Sequence, residues 1–292
     1  MHSDGLPPLR EVIATHNLAA RKSLGQNFLL DLNLTRRIAR LSGELKEATI
    51  IEIGPGPGGL TRALLMEGAK KIIAIEQDQR CLSALKDIST AYPERLEIFN
   101  EDALHFHFDT LKLEPPVRII ANLPYNIATK LLIEWLRLSP WPSFYQSMTL
   151  MFQKEVAMRI CAKHGSKAYG RLAVISQWRT RPKIVMRLPA RAFVPSPKVD
   201  SAIVHLVPIK PEGLPCELHD LEAISAAAFG QRRKMLRSSL KKICKNPLEL
   251  LKKARIDPTK RAEQLTITDF TRLAHEFRRA PSSSEDDSIF TS

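Results

Sequence analysis

The sequence predicts an α/β protein: a mostly parallel sheet with an antiparallel edge, followed by a small helical domain. Three observations carry that prediction. Short apolar runs alternate with helical patterns through the first two-thirds of the chain, as in a parallel sheet covered by helices on both faces. Two further apolar runs are spaced as a hairpin, which makes one edge antiparallel. Beyond Pro211 only helical periodicities remain.

Taken in order, residues 1–22 are expected to form a helix and an arm leading into the main domain, 23–210. There "TIIEIG" (49–54), "KIIAIE" (71–76), "LEIFN" (96–100), "VRIIANL" (117–123) and "SMTLMFQ" (147–153) read as buried strands. Between them "GGLTRALLMEGA", "DQRCLSALKDIST" and "IATKLLIEWLRL" read as helices. "KIVMRL" (183–188) and "SAIVHLVPI" (201–209) supply the hairpin. "KPEGLPCELHD" is a linker into the helical domain, 211–280, where "LEAISAAAFGQRRKMLRSSLKKI" reads as a helix with a basic outer face. "NPLELLKKARI", "DPTKRAEQL" and "TITDFTRLAHEFRR" read as shorter helices. Asn246, Asp257 and Thr268 are their expected N-caps, each before proline or an acidic first turn. The Ser-rich, acidic tail, 281–292, is expected to be disordered.

Charge narrows the partner. The 292 residues carry 44 Lys and Arg against 31 Asp and Glu, a formal charge of +13, and this favours a polyanion. The excess is concentrated, because Phe229 to Arg261 holds twelve Lys and Arg against two acids. Such clustering points to nucleic acid rather than to solubility alone. No apolar run approaches the roughly 20 residues of a membrane span, and the N-terminus lacks the apolar region of a signal peptide. Four scattered cysteines suit a reducing cytoplasm. His105 and His107 lack the further ligands a metal would need, so no metal is expected.

The segment "EIGPGPGGLT" (52–61) contains Gly54, Gly56 and Gly59 in G-x-G-x-x-G spacing, with Gly58 alongside. After a buried strand and before a helix, such glycines make a tight turn and let a ligand approach the backbone. Glu76 ends the next strand, 22 residues beyond Gly54, where an acid accepts the hydroxyls of a ribose. Dinucleotide and S-adenosylmethionine folds share this arrangement. Two details favour the latter. Glu52 sets a carboxyl near the loop, suited to a cationic amino-acid moiety, and Pro57 withholds an N–H that a phosphate would use.

"NLPY" (122–125) follows the strand "VRIIA" at its C-terminal end, where open parallel sheets bind ligands. Asn122 and the Pro124 carbonyl offer acceptors for an exocyclic amine, and Tyr125 a face for stacking a base. Two acceptors on an aryl amine would turn its lone pair toward a methyl donor. A plain Asn-Pro turn with a half-buried tyrosine is the alternative reading of the tetrapeptide.

"SLGQNFLLD" (23–31), "EIGPGPGGLT", "IEQD" (75–78), "EDAL" (101–104), "NLPY", "FVPSPKVDS" (193–201) and "FGQRRKMLRSSL" (229–240) occur in that order. Together they resemble the ribosomal RNA small subunit adenine dimethyltransferases (the RsmA/KsgA group), over about residues 21–279. The resemblance implies a class I, Rossmann-like methyltransferase domain with a small helical domain. It implies S-adenosylmethionine as cofactor, held by Asn27, Leu29, Gly54, Glu76, Asp102 and Asn122, to which the reading of the glycine loop adds Glu52, Gly56 and Gly58. It implies dimethylation of N6 of two adjacent adenosines in the 3′-terminal hairpin loop of 16S rRNA, by a monomer acting on the assembling 30S subunit. Phe193 is expected to stack the target base opposite Tyr125, a core phenylalanine being its other reading. Gln231, Arg232, Arg233, Lys234 and Arg237 are the expected RNA contacts. Three rivals remain: a large-subunit rRNA adenine methyltransferase of the macrolide-resistance type, a DNA adenine methyltransferase, and a non-catalytic assembly or transcription factor. "FGQRRKMLRSSL" argues against the first, the lack of a target-recognition insertion against the second, and the intact Glu52, Glu76, Asp102 and Asn122 against the third.

Overall fold

The computed structural model describes residues 4–211 and 213–279, so the tail expected to be disordered lies outside the described residues. The chain divides into two compact units, residues up to 158 with 180–209, and 159–179 with 210 onward.

The first unit opens with α1 (Leu9–Thr15), β1 (Phe28–Leu29) and α2 (Leu32–Arg40). Asp31 starts α2 by accepting from the N–H groups of Asn33 and Leu34, satisfying donors that a helix leaves open. Then come β2 (Thr49–Ile53), α3 (Gly59–Met66), β3 (Lys71–Ile75), α4 (Leu82–Ala91) and β4 (Leu96–Phe99). The chain returns across the sheet to β5 (Val117–Ala121), α5 (Tyr125–Arg137), β6 (Ser147–Gln153) and the start of α6 (Lys154–Ile160). Past α7 (Arg171–Arg179), the unit resumes with β7 (Thr180–Leu188), β8 (Phe193–Val194) and β9 (Ser201–Pro208).

Seven strands pair in the order β4-β3-β2-β5-β6-β9-β7. The first five are parallel, and β9 and β7 complete the antiparallel edge. All of β2 is buried, which explains why its sequence is nearly unbroken apolar rather than alternating. Ile50, Ile72 and Ile120 of neighbouring strands pack with Leu64 and Leu65 of α3. Strand order reverses between β2 and β5. Their C-terminal ends therefore diverge into loops on opposite sides and leave a crevice there.

The second unit comprises α7 with α8 (Leu218–Gly230), α9 (Leu236–Ser239), α10 (Pro247–Lys253) and α11 (Ile267–Arg279). Its start differs from the expected residue 211. Ala173, Val174 and Trp178 of α7 share a core with Leu221, Ile224 and Phe270, so 159–179 group with the helices. The long basic helix expected over 221–243 is also broken. It ends at Gly230, and residues 231–235 form a turn before α9. Leu236 N–H, donating to Lys260 O at 2.8 Å, anchors the restart.

Capping follows local chemistry. Asn246 caps α10, accepting from Glu249 N–H with Pro247 in the first turn. Asp257 closes a turn by accepting from Thr259, and only Ala262–Gln264 form a short 3₁₀ helix in its neighbourhood. Thr266, not Thr268, caps α11. Its hydroxyl accepts from Asp269 N–H while Asp269 accepts from Thr266 N–H, a reciprocal capping box.

Candidate cofactor cleft and basic turn

The loop after β2 lies at the switch point. Gly54, Gly56 and Gly58 all have positive φ, 65°, 56° and 87°, a region that side chains with a Cβ rarely adopt. Gly54 N–H donates to Ile75 O at 2.9 Å, and Gly56 N–H donates to Glu76 Oε2 at 2.8 Å. Glu76 Oε1 accepts from Asp78 N–H at 2.7 Å. The glycine loop and the acid thus form one hydrogen-bonded piece. Burial raises the Glu76 carboxyl above its ordinary range, with the backbone N–H groups opposing in part. Asp78 is held in turn by Arg80 and Gln26.

Glu52, the penultimate residue of β2, is 1% exposed. Its Oε2 has no hydrogen-bond partner. Burial pushes the carboxyl up to about 8, the charge of Glu76 adds to this, and nearby Thr61 opposes it in part. An unpaired buried carboxylate costs several kcal/mol, which favours the protonated form of the group.

Across the crevice, Asn122 directly follows β5 and Tyr125 begins α5. Asn122 Nδ2 donates to Asn27 O at 3.2 Å. That orients the amide and leaves Oδ1 to accept from a ligand. The Tyr125 hydroxyl hydrogen-bonds the hydroxyl of Ser201, a fully buried residue at the start of β9. Burial raises the Tyr125 phenol, and Ser201 opposes this. Asp102 Oδ1 accepts from Leu104 N–H at 2.9 Å, closing a turn rather than capping a helix.

Asn27, Leu29, Glu52, Gly54, Gly56, Glu76, Asp102, Asn122, Pro124 and Tyr125 line one cleft open to solvent. Two expected residues lie elsewhere. Gly58 sits behind the loop as the N-cap of α3, and a Cβ there would meet Ile88 Cδ1 at 2.2 Å. Its role is packing. Phe193 is 2% exposed and pairs with Leu29 in the β1–β8 ribbon, within the hydrophobic core. It is not among the residues that line the cleft, and its burial fits the reading as a core phenylalanine.

Leu9, Gln26, Phe28 and Ser201 escaped the sequence reading. Phe28 crowds Gly56, where a Cβ would lie 3.1 Å from the ring. Gln26 and Ser201 fall inside quoted motifs and were findable there. Leu9 carried no signal.

In the second unit, Arg232, Arg233, Lys234 and Arg237 are exposed and Gln231 half-buried. Arg232 Nη2 donates to Lys167 O at 2.6 Å, and its Nε lies 3.4 Å from Glu263 Oε2. Among the described residues, no ion pair or side-chain hydrogen bond braces Arg233, Lys234 or Arg237 in this way. Among the described residues no three His, Cys, Asp or Glu cluster as metal ligands.

A glycine loop and an Asn-Leu-Pro-Tyr segment, meeting at the switch point of this sheet, define a class I methyltransferase. Residues 17–279 match the family of ribosomal RNA adenine dimethylases, and the chain belongs to that family. It is 58% identical over 277 residues to ribosomal RNA small subunit methyltransferase A of Ruegeria sp. (strain TM1040), covering 94% of this chain and 98% of that one. It is likewise 58% identical over 279 residues to the protein of the same name from Xanthobacter autotrophicus, covering 96% of each. Among solved structures, a dimethyladenosine transferase from Plasmodium falciparum aligns with TM-score 0.70 at 26% identity, over 84% of this chain and 95% of that one. The 23S rRNA methyltransferase ErmE aligns with TM-score 0.64 at 25% identity, over 86% and 100%.

Proposed function

We propose that the protein dimethylates N6 of two adjacent adenosines in the 3′-terminal hairpin loop of 16S rRNA, using S-adenosylmethionine. In this reading it acts as a cytoplasmic monomer on the assembling 30S subunit. One observation carries it: at the switch point, the glycine cleft with its partnerless Glu52 oxygen faces the Asn122–Tyr125 segment. The small-subunit name of relatives at 58% identity supports the choice of substrate.

Bound S-adenosylmethionine supplies an electrophilic sulfonium methyl. Glu76 accepts ribose hydroxyls on the lone pairs its N–H partners leave free. Glu52 offers a carboxyl to the cationic amino-acid end, and Asp102 accepts from the adenine amino group. Asn122 Oδ1 and Pro124 O accept from the target amine, aim its lone pair and stabilise the positive charge that grows on nitrogen. Tyr125 stacks the base. No strong general base is needed, because an N-methylated aryl ammonium is very acidic. A second methylation requires the acceptors to tolerate one donor fewer. Gln231, Arg232, Arg233, Lys234 and Arg237 contact RNA phosphates.

The test is mass spectrometry of rRNA after small and large subunits are incubated separately with the protein and S-adenosylmethionine. Adjacent dimethyladenosines in the small subunit are expected. Methylation of the large subunit alone would instead favour the activity in the name of the ErmE structure, the second reading.

A further inference from the structure

The N-terminal arm has no part in the function proposed above. Residues 4–16 precede the segment matched to the family, yet the Asp4 side chain is 4% exposed. Arg62 of α3, also 4% exposed, holds it. Arg62 Nε and Nη2 donate to the two carboxylate oxygens at 2.5 and 2.6 Å. The same guanidinium donates to Leu6 O at 2.8 Å and Pro7 O at 2.5 Å. Burial alone would raise the Asp4 carboxyl, but hydrogen bonds and charge from Arg62 outweigh it and hold the group below the usual range. A buried guanidinium in the helix after the glycine loop is thus devoted to gripping the arm.

From this clasp the chain passes through Pro7 and Pro8 into α1, and Leu9, its first residue, lines the cofactor cleft. A Cβ on Gly59 would lie 2.8 Å from Leu9 Cδ2 and 2.9 Å from Leu29 O. The third glycine of the fingerprint therefore makes room for the arm and for the strand that carries Leu29. Beyond α1 the arm is pinned again. His16 pairs with Asp87 at 2.8 Å, Leu18 is buried against Cys81 and Ala84, and Arg80 Nη1 donates to Ala19 O.

We infer that Asp4 and Arg62 are positioning residues for cofactor binding: their clasp holds Leu9 in place as an apolar wall of the cleft. The inference rests on the reading of this cleft as the S-adenosylmethionine site. The wall removes one side of the cleft from water and is set before the ligand arrives, so ordering it costs the ligand nothing on binding.

The experiment compares full-length wild type, Asp4→Asn, Leu9→Ala and the double variant. Calorimetric titration with S-adenosylmethionine, steady-state kinetics on small subunits and thermal melts without cofactor are measured for each. Each single variant is expected to weaken cofactor affinity about tenfold and raise the cofactor KM by the same factor. Turnover at saturating cofactor stays within about twofold of wild type. The double variant is no weaker than the poorer single, because both substitutions undo the same wall. Unchanged affinity in Leu9→Ala, or a lowered melting temperature in Asp4→Asn with unchanged affinity, overturns the inference. So do effects that multiply in the double variant. Absence of binding by wild type would instead overturn the cofactor reading itself, and this inference with it.

Discussion

In the cleft, Glu76 is 5% exposed and each of its oxygens already accepts a backbone N–H, while Asn122 is turned by the Asn27 carbonyl. In the turn after α8 and the start of α9, Arg233, Lys234 and Arg237 are exposed and, among the described residues, form no ion pair. The first region sets each atom before a ligand arrives, which suits a small molecule whose reacting atom must sit within fractions of an ångström. The second holds charge on exposed side chains, which suits a polyanion recognised by its sum rather than by any one contact. Single substitutions should therefore be severe in the cleft and graded in the turn.

The sharpest test is Asn122→Ala. Loss of an acceptor that acts in the transition state is expected to lower kcat by about 10²–10³-fold, with small-subunit affinity retained. Tritium transfer and a filter-binding assay read the two separately, and near-normal turnover would remove Asn122 from the chemistry. Next is the double charge reversal Arg232→Glu, Arg233→Glu. Small-subunit affinity near 0.1 M salt should drop by roughly 10–100-fold, and the slope of log affinity against log salt should shrink by about 2. Cofactor affinity should not move. An unchanged salt slope would transfer RNA docking to another surface.

Glu52→Gln separates stability from binding inside the cleft. The folded carboxyl, at about 8, lies above its unfolded value near 4.5, so the native state holds the proton more tightly. Wild-type stability is then fullest below about pH 4.5, falls as pH rises toward 8, and levels off beyond. The glutamine variant escapes this loss. Its melting temperature should rise relative to wild type between pH 5 and 8, by about 5 °C at the upper end, while its cofactor affinity falls. Parallel melting curves across that range would show that Glu52 is not the titrating group. The smallest effect is expected of Phe193→Leu: about 1 kcal/mol of stability, and turnover within threefold of wild type by about the same margin. A large loss of turnover in a well-folded variant would restore the ring to base stacking.

The sheet was legible because fully buried parallel strands leave apolar runs that few other structures produce. β2, β3 and β5 lie within two residues of their predicted ends. The cleft was legible for a related reason: backbone conformation restricts residue type, so the glycines at 54 and 56 announced themselves. What stayed hidden depends on contacts between distant residues. Gly58 shares the positive φ of its neighbours, and only the position of Ile88 shows that it packs rather than lines. Phe193 suits base stacking by residue type, and only its burial beside Leu29, more than 160 positions away in sequence, favours the core reading. The break after Gly230 was concealed by a helical periodicity running on through residues 231–235. The Asp4–Arg62 pair had no local pattern at all.

Cys81 gives the arm a chemical clock. The thiol is 1% exposed, lies under Leu18, and is pushed up to about 12 by burial with the charges of Glu76 and Asp78 adding. Such a thiol is inert while covered. Its reaction with a thiol-specific reagent, followed against a Cys81→Ser control, therefore counts each excursion of the arm away from α4. Cofactor that engages Leu9 should slow that count without touching the sulfur, turning a buried side chain into a readout of occupancy some distance from the methyl-transfer site.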